Sequence, residues 1–254
     1  MRLITKQSEI MKKLFASFGW ILLILPLISV AGSKTLLDNI HSVDSNSDER
    51  EVSGFSGVSS SGSFEVYITL GATESLRLEG NSEDLENVET KVEKGVLKIR
   101  TKSSSGRFGF SINRKIKVYI TAKTLEELTV SGSGDMEVSG TVNADRLNLT
   151  VSGSGSIKLN AAVLTVNTMV SGSGGIDVSG SAKKANIAVS GSGKFTGRDL
   201  KAEVIDIKVS GSGHASVYAS RTLNAALSGS GGISYSGNAQ VNQSKSGSGR
   251  IAKI

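Results

Sequence analysis

Apolar and polar residues alternate through Phe64, Val66, Ile68 and Leu70, the period-two signature of a half-buried strand. Leu76 and Leu78 continue the pattern, followed by Val96, Leu97 and Ile99 and then by Ile116, Val118 and Ile120. Between these runs, NSEDLENVETKV offers Ser82 as a cap with acids directly after it, which predicts a helical turn or two over Glu83–Val88. Glu93-Lys94-Gly95 separates two strands and predicts a tight turn that uses the freedom of Gly at positive φ. Residues 103–114, SSSGRFGFSINR, read as a loop whose two rings, Phe108 and Phe110, are either inward caps or an exposed binding tip.

The second half of the chain is periodic. SGSG begins at Ser131, Ser152, Ser171, Ser190, Ser210, Ser228 and Ser246, at intervals of 21, 19, 19, 20, 18 and 18 residues. Strand-like pieces flank the copies, as in Leu128/Val130 before Met136/Val138 and Leu149/Val151 before Ile157/Leu159. A flexible Gly/Ser linker would lack that flanking alternation. The period is too short for a propeller blade and contains no leucine-rich repeat pattern. It predicts a coil that turns once per repeat and stacks each strand about 4.8 Å from the one before it. Val, Ile and Leu at equal positions then form internal ladders, because no rung can bury its apolar side alone. Ala144, Ala202 and Ala219 suit narrow inward positions at bends. The expected turn residues are Gly132, Gly134, Gly153, Gly155, Gly172, Gly174, Gly191, Gly193, Gly211, Gly213, Gly229, Gly231, Gly247 and Gly249. The fold class is all-β, a parallel β-helix with SGSG turn repeats of 18–21 residues and an N-terminal β-rich cap. The alternative is a β-sandwich with Gly-rich hairpins.

Ahead of these blocks, Met11 opens MKKLFASFGWILLILPLISVAG, with Lys12 and Lys13, an apolar run from Leu14 to Val30, and small Ser29 and Ala31 before Gly32. These are the parts of a secretory signal. As a helix the run would span about 26 Å, just short of a ~30 Å hydrocarbon core, so a retained anchor is the competing reading. The residues before Met11 are either a misassigned start or an extended n-region. The expected organisation is residues 1–31 as signal peptide or anchor, 32–50 as a polar tether, and 51–254 as the folded domain. Within that domain, 51–130 holds the first coils and cap and 131–254 the regular repeats. Either reading of the signal exports the bulk of the chain, to the periplasm, the outer surface or the medium, with inner-membrane anchoring if the signal is kept.

Composition then removes chemistry. Of 254 residues none is Cys and two are His, His41 and His214. Disulfides, thiolate metal sites, a cysteine nucleophile and a lipid-modified cysteine are excluded, and no cofactor is implied. The net charge of +6 falls to +3 once Arg2, Lys6, Lys12, Lys13 and Glu9 are set aside, too balanced for nucleic-acid binding. The acids of the repeat region are Asp135, Glu137, Asp145, Asp177, Asp199, Glu203 and Asp206. Equal offsets from SGSG align Glu137, Lys158 and Asp177 in one column of alternating sign, which predicts a solvated ladder rather than a catalytic pair. The residues after each SGSG are Asp135, Ser156, Gly175, Lys194, His214, Gly232 and Arg250, two of them cationic, which is not a calcium repeat. His214 is expected on the surface. Phe195, Tyr218 and Tyr235 recur about one rung apart and could share a face, although core or scattered surface placement is the plainer expectation.

The pieces LTVSGSGDMEVSG, LTVSGSGSIKLN, MVSGSGGIDVSG and IKVSGSGHASV resemble the DUF2807 or head GIN domain family, whose members carry an auto-transporter adhesin label. FSGVSSSGSFEVYITLGATESLRLEG, NVETKVEKGVLKI and RKIKVYITAKTLEELTVSGSGD upstream fit as well, so the resemblance runs from about Val52 onward. It implies a bacterial, exported or surface-associated protein built of right-handed β-helical coils. Many members begin as lipoproteins, and this chain departs from that in having no cysteine. The resemblance brings no catalytic residues.

The expected function is a non-catalytic adhesive or scaffolding module of the cell envelope. Its partner is an envelope or surface component, glycan or protein, and nucleic acid is not expected. The alternative is a carbohydrate-active enzyme on a β-helix. At the C-terminal end, Arg250 and Lys253 are the charges that oppose edge pairing, while Ile251, Ala252 and Ile254 are apolar. The tail either folds back on its last rung or serves self-association or docking.

Overall fold

The computed structural model describes residues 46–102 and 116–254. The expected signal or anchor, most of the tether, His41, and the loop rings Phe108 and Phe110 lie outside the described residues. The described chain is a β-solenoid of mostly parallel strands with a β-rich N-terminal cap. Five long strands carry the repeats: β9 (Asp135–Gly153), β10 (Ser156–Gly172), β11 (Gly175–Gly191), β12 (Lys194–Gly211) and β13 (His214–Gly229). Each starts just after one SGSG and runs into the next, bending on the way. They pair in parallel so that Gly153, Gly172, Gly191, Gly211 and Gly229 face one another in sequence.

The unequal repeat lengths are absorbed at one place. Register shifts fall between Lys158 and Asn160, between Asp177 and Gly180, and on both sides of Lys201-Ala202. All lie away from SGSG, so the surplus residues leave the ladder as bulges while the turn stays in register. Ala182, Ala202 and Ala219 stack in that region and are buried, with half-buried Ala144 at the start of the same column.

Inside the coil, columns of branched side chains run along the axis. Val130, Val151, Val170, Val189, Val209 and Leu227 form one, all at most 2% exposed. The next column reads Leu128, Leu149, Thr168, Ile187, Ile207 and Ala225. Thr168 is the exception there, a buried hydroxyl with no hydrogen-bond partner among the described residues.

The N-terminal part departs from simple stacking. Here β2 (Gly57–Gly62) and β3 (Glu65–Leu70) form a rung around Ser61-Gly62-Ser63-Phe64, a degenerate copy of SGSG with Phe64 in place of its second glycine. On one side it carries β8 (Glu127–Gly132) and the start of β9. On the other it carries β6 (Val96–Thr101) and β7 (Lys117–Ala122), although these come later in the chain. Stacking order and chain order therefore differ at this end. Three further strands close it antiparallel: β4 (Ser75–Gly80) on β7, β1 (Asn46–Arg50) on β4, and β5 (Val88–Glu93) on β6. Antiparallel pairing halts the parallel coil, because the next rung would need the opposite chain direction.

Three expectations need correction. Residues 46–50, assigned to the tether, are strand β1. Arg50 anchors it through hydrogen bonds to the Val88 and Leu85 carbonyls at 2.8 and 3.1 Å. The helix, α1 (Ser82–Glu86), is capped by Asn81, whose side chain accepts from the Glu83 N–H at 3.0 Å, and Val88 already belongs to β5. Chain after Gly249 enters β16 (Arg250–Lys253), in register with β14 (Gly232–Ser236), while β15 (Gln240–Ser246) lies on β13. The tail is therefore a strand of a rung and does not fold back over one. The turn at Lys94-Gly95 has φ of +52° and +77°, both in the left-handed region a two-residue hairpin needs.

Two measurements test this packing. Thr168→Val removes the orphan hydroxyl at nearly constant shape and should raise stability by about 1 kcal/mol in denaturant unfolding; a loss would mean the hydroxyl is bonded. Gly172 has a φ of +113°, and a Cβ on Gly174 would lie 2.2 Å from the Gly155 carbonyl oxygen. The double change Gly172→Val and Gly174→Val should abolish cooperative thermal unfolding, and an unchanged melt would make these glycines incidental.

Candidate functional site

Outside the coil the same register builds columns of polar side chains, repeating every ~4.8 Å along the axis. One reads Asn148, Asn167, Asn186, Asp206, Asn224 and Asn242. Asn167 donates to Asn148 and Asn186 to Asn167, each at 2.8 Å. Asn242 donates to Asn224 at 2.9 Å, and Asn224 to Asp206 at 2.6 Å. The carboxylate of Asp206 also meets the Lys184 ammonium at 2.9 Å. The Asn224 hydrogen bond, then that of Lys184, holds the Asp206 carboxyl below its ordinary value. The column borders a shallow groove of about 480 Å³ that also takes in exposed Met169, Ala188 and Lys208. Its signal was present in the sequence: each member stands four residues before the first Ser of an SGSG.

The acids singled out from the sequence fall on three strands: Asp135, Glu137 and Asp145 on β9, Asp177 on β11, and Asp199, Glu203 and Asp206 on β12. Glu137, Lys158 and Asp177 align as expected, and Lys158 Nζ lies 3.0 Å from Glu137 Oε1. Asp135 accepts from the Ser156 hydroxyl at 2.7 Å, and Glu203 pairs with Arg221 at 3.1 Å. Both ends of the Glu137–Lys158 pair are at least half exposed, so it is a surface ladder contact worth well under 1 kcal/mol. Among the described residues, no cluster of three or more His, Asp or Glu could hold a metal ion. His214 is exposed, aligned between Lys194 and Gly232.

The aromatic face suggested by Phe195, Tyr218 and Tyr235 does not form. Phe195 is fully buried, and Tyr235 aligns with buried Val217 and packs against the core. Tyr218, one residue further on, points the other way and lies under Lys201, 4.1 Å from Nζ to ring centroid. Alternation along the strand separates the two tyrosines, and the one-residue difference in their offsets was the sign of it.

The aromatic contact on the outer surface lies in the cap instead. Tyr67 on β3 stacks on Tyr119 on β7, with centroids 5.4 Å apart and planes 21° apart. The Arg77 guanidinium covers the other face of Tyr119 at 4.5 Å. Desolvation, then the Glu79 carboxylate, holds the Tyr119 phenol above its ordinary value. This stack walls a groove of about 590 Å³ shared with Glu49, Glu74, Ser75 and Thr121. Sequence alone could not pair the two rings, because β3 and β7 meet only through the out-of-order stacking.

With this geometry in place, comparison with known proteins identifies the fold's relatives. The family model described as "Putative auto-transporter adhesin, head GIN domain" matches residues 54–239. A solved structure of a "putative adhesin" from Bacteroides fragilis is 23% identical, with a TM-score of 0.77, over 84% of this chain and 98% of that one. A "putative lipid binding protein" from Parabacteroides distasonis is 26% identical, with a TM-score of 0.70, over 83% and 96%. A second "putative adhesin" from the same organism is 22% identical, with a TM-score of 0.67, over 84% and 98%. No curated protein matches the sequence. The match spans most of the solenoid and most of its cap, and the chain belongs to the head GIN domain (DUF2807) family.

Proposed function

We propose that this chain is an exported, non-catalytic module of the bacterial envelope that presents the outer faces of its coil to an envelope or surface component, glycan or protein. One observation carries the reading: the carboxylates Asp135, Glu137, Glu203 and Asp206 on the outer faces each bond a side chain of a neighbouring rung. The Asn column, Glu137–Lys158 and Glu203–Arg221 bond along the axis, and where Glu137 shares a surface depression with Glu65 and Asp135, the Ser156 hydroxyl and the Lys158 ammonium of the next rung engage Asp135 and Glu137. Glycoside cleavage needs two carboxyl groups placed across one bond, so this arrangement favours a rigid display surface over the carbohydrate-active alternative. Membership in an adhesin family supports export, and the structural relative described as lipid binding is consistent with work at a surface.

The finer features belong to the same proposal. A right-handed coil is supported by the strong preference of parallel strand connections for that hand. The paired glycines of SGSG act as its turn residues, supported by positive φ from Gly132 through Gly247 at the first glycine of every copy. Among the described residues β15 pairs only with β13 and β16 only with β14, which supports self-association through their outer edges. Retention in the periplasm, display on the outer surface and release are separated by protease access on intact cells.

Screens of polysaccharide and peptide hydrolysis should show no turnover, while crosslinking on intact cells should capture a discrete envelope partner. Turnover that disappears on Glu137→Gln would contradict the reading.

A further inference from the structure

Two inward columns of the coil end on lysine. The valine column that runs from Val130 to Val209 continues through Leu227, whose partner in the last rung is Lys245. The column of buried Val217 passes through Tyr235 to Lys253. Between them Gln243 follows Ala225. Lys245 Nζ donates to the Gly249 carbonyl at 3.1 Å, so its ammonium is held at the corner of that rung. An apolar rung laid on this end would bury ammonium groups without a counter-charge, which is strongly unfavourable. Whatever docks here has to bring carboxylates.

The opposite end of the same solenoid supplies them. It is bounded by β1 on one face and β5 on the other, and α1 crosses between the two. Strands β1 and β5 each carry two acids against one base, and α1 carries Glu83, Asp84 and Glu86 with no base. At the tail, β15 and β16 carry Lys245, Arg250 and Lys253 with no acid. The ends also match strand for strand. The face that finishes in β16 at the tail begins with β1 at the cap, and the face that finishes in β15 begins with β5. Because β1 is antiparallel to β4 and β4 antiparallel to β7, β1 runs in the direction of the coil strands. Half-buried Val241 and Ile251 at the tail and Val92 at the cap add apolar surface at these edges.

We propose that the tail edge docks a second copy of this chain by its cap end, β16 beside β1 and β15 beside β5, in a head-to-tail row. Two tails facing each other would set Lys245 and Lys253 against their own copies, and two caps would gather the acids of α1. The mixed contact puts opposite charges across both edges, and like-charge juxtaposition selects against the other two. A contact between two different surfaces does not close on itself, so it propagates along the axis. This rests on the self-association reading above and names the second surface that the tail edges meet.

The test uses residues 42–254, a compact unit of the chain that corresponds to solved relatives spanned almost whole by the match and therefore folded on their own. Sedimentation velocity over a concentration series should show species that grow past the dimer and shrink as salt is raised. The tail variant K245E/R250E/K253E and the cap variant E83K/D84K/E86K should each weaken association about tenfold or more. An equimolar mixture of the two should restore it, because each variant then meets the opposite charge at both of its ends. Lys158→Gln, on an outer face, should leave it unchanged. Should a triple variant fail to fold, R250E/K253E and E83K/E86K take the place of the pair. A dimer that survives the cap variant and is lost in the tail variant would be tail-to-tail, so self-association would stand and this proposal would fall. A monomer at every concentration would remove both. Association indifferent to the two variants, or a mixture that stays dissociated, would overturn the head-to-tail contact.

Discussion

Backbone lies directly on backbone at the SGSG corner. The position a Cβ would take on Gly155 is 2.1 Å from the Gly134 carbonyl oxygen, and on Gly174 it is 2.2 Å from that of Gly155. No side chain larger than hydrogen fits between consecutive turns. The same closeness lets Gly174 N–H reach the Gly153 carbonyl at 2.9 Å and Gly175 N–H reach that of Gly155 at 3.0 Å. Each turn is thereby held against the one before it, and the strands on either side inherit a fixed register. Sequence variation in rung length is displaced to the opposite bend, where bulges absorb it without disturbing the corner.

Register at the corner has consequences on both sides of the sheet. Inward, it stacks valine on valine and leucine on isoleucine, so a rung of 18–21 residues that could not sustain a core alone shares one with its neighbours. Outward, it turns a residue type repeated in sequence into a column in space. The asparagines become two hydrogen-bonded runs, and Glu137 and Lys158 an ion pair. Surface and core are two readings of one constraint.

That constraint also decides what the sequence could reveal. The repeats, the internal ladders and the Glu137–Lys158–Asp177 column were legible because they follow from offsets counted from SGSG. The Asn column follows from the same offsets, but a neutral amide on an outer face has neither the charge nor the apolar bulk that marks a column in sequence. At the N-terminal end the rule loses its marker. Phe64 replaces the second glycine of the turn at 61–64, and β6 and β7 are laid on the outside of a rung made earlier in the chain. Nothing local records that order, so the Tyr67–Tyr119 stack could not be foreseen. The strand at 46–50 was hidden by its polar composition, NSDER, because an edge strand held by Arg50 has little apolar surface to advertise.

The central claim is that register is fixed at the corner even where stacking departs from chain order. Because the chain has no cysteine, engineered pairs report on it cleanly. Ser61 and Ser131 are partners across adjacent strands, and Ser131 is in turn the partner of Ser152. Adjacent-strand Cα atoms about 4.8 Å apart lie within disulfide range, whereas two rungs, at about twice that, lie outside it. Mild oxidation of residues 42–254 should close an intramolecular disulfide in S61C/S131C and none in S61C/S152C. Closure of the second pair and not the first would contradict the stacked register.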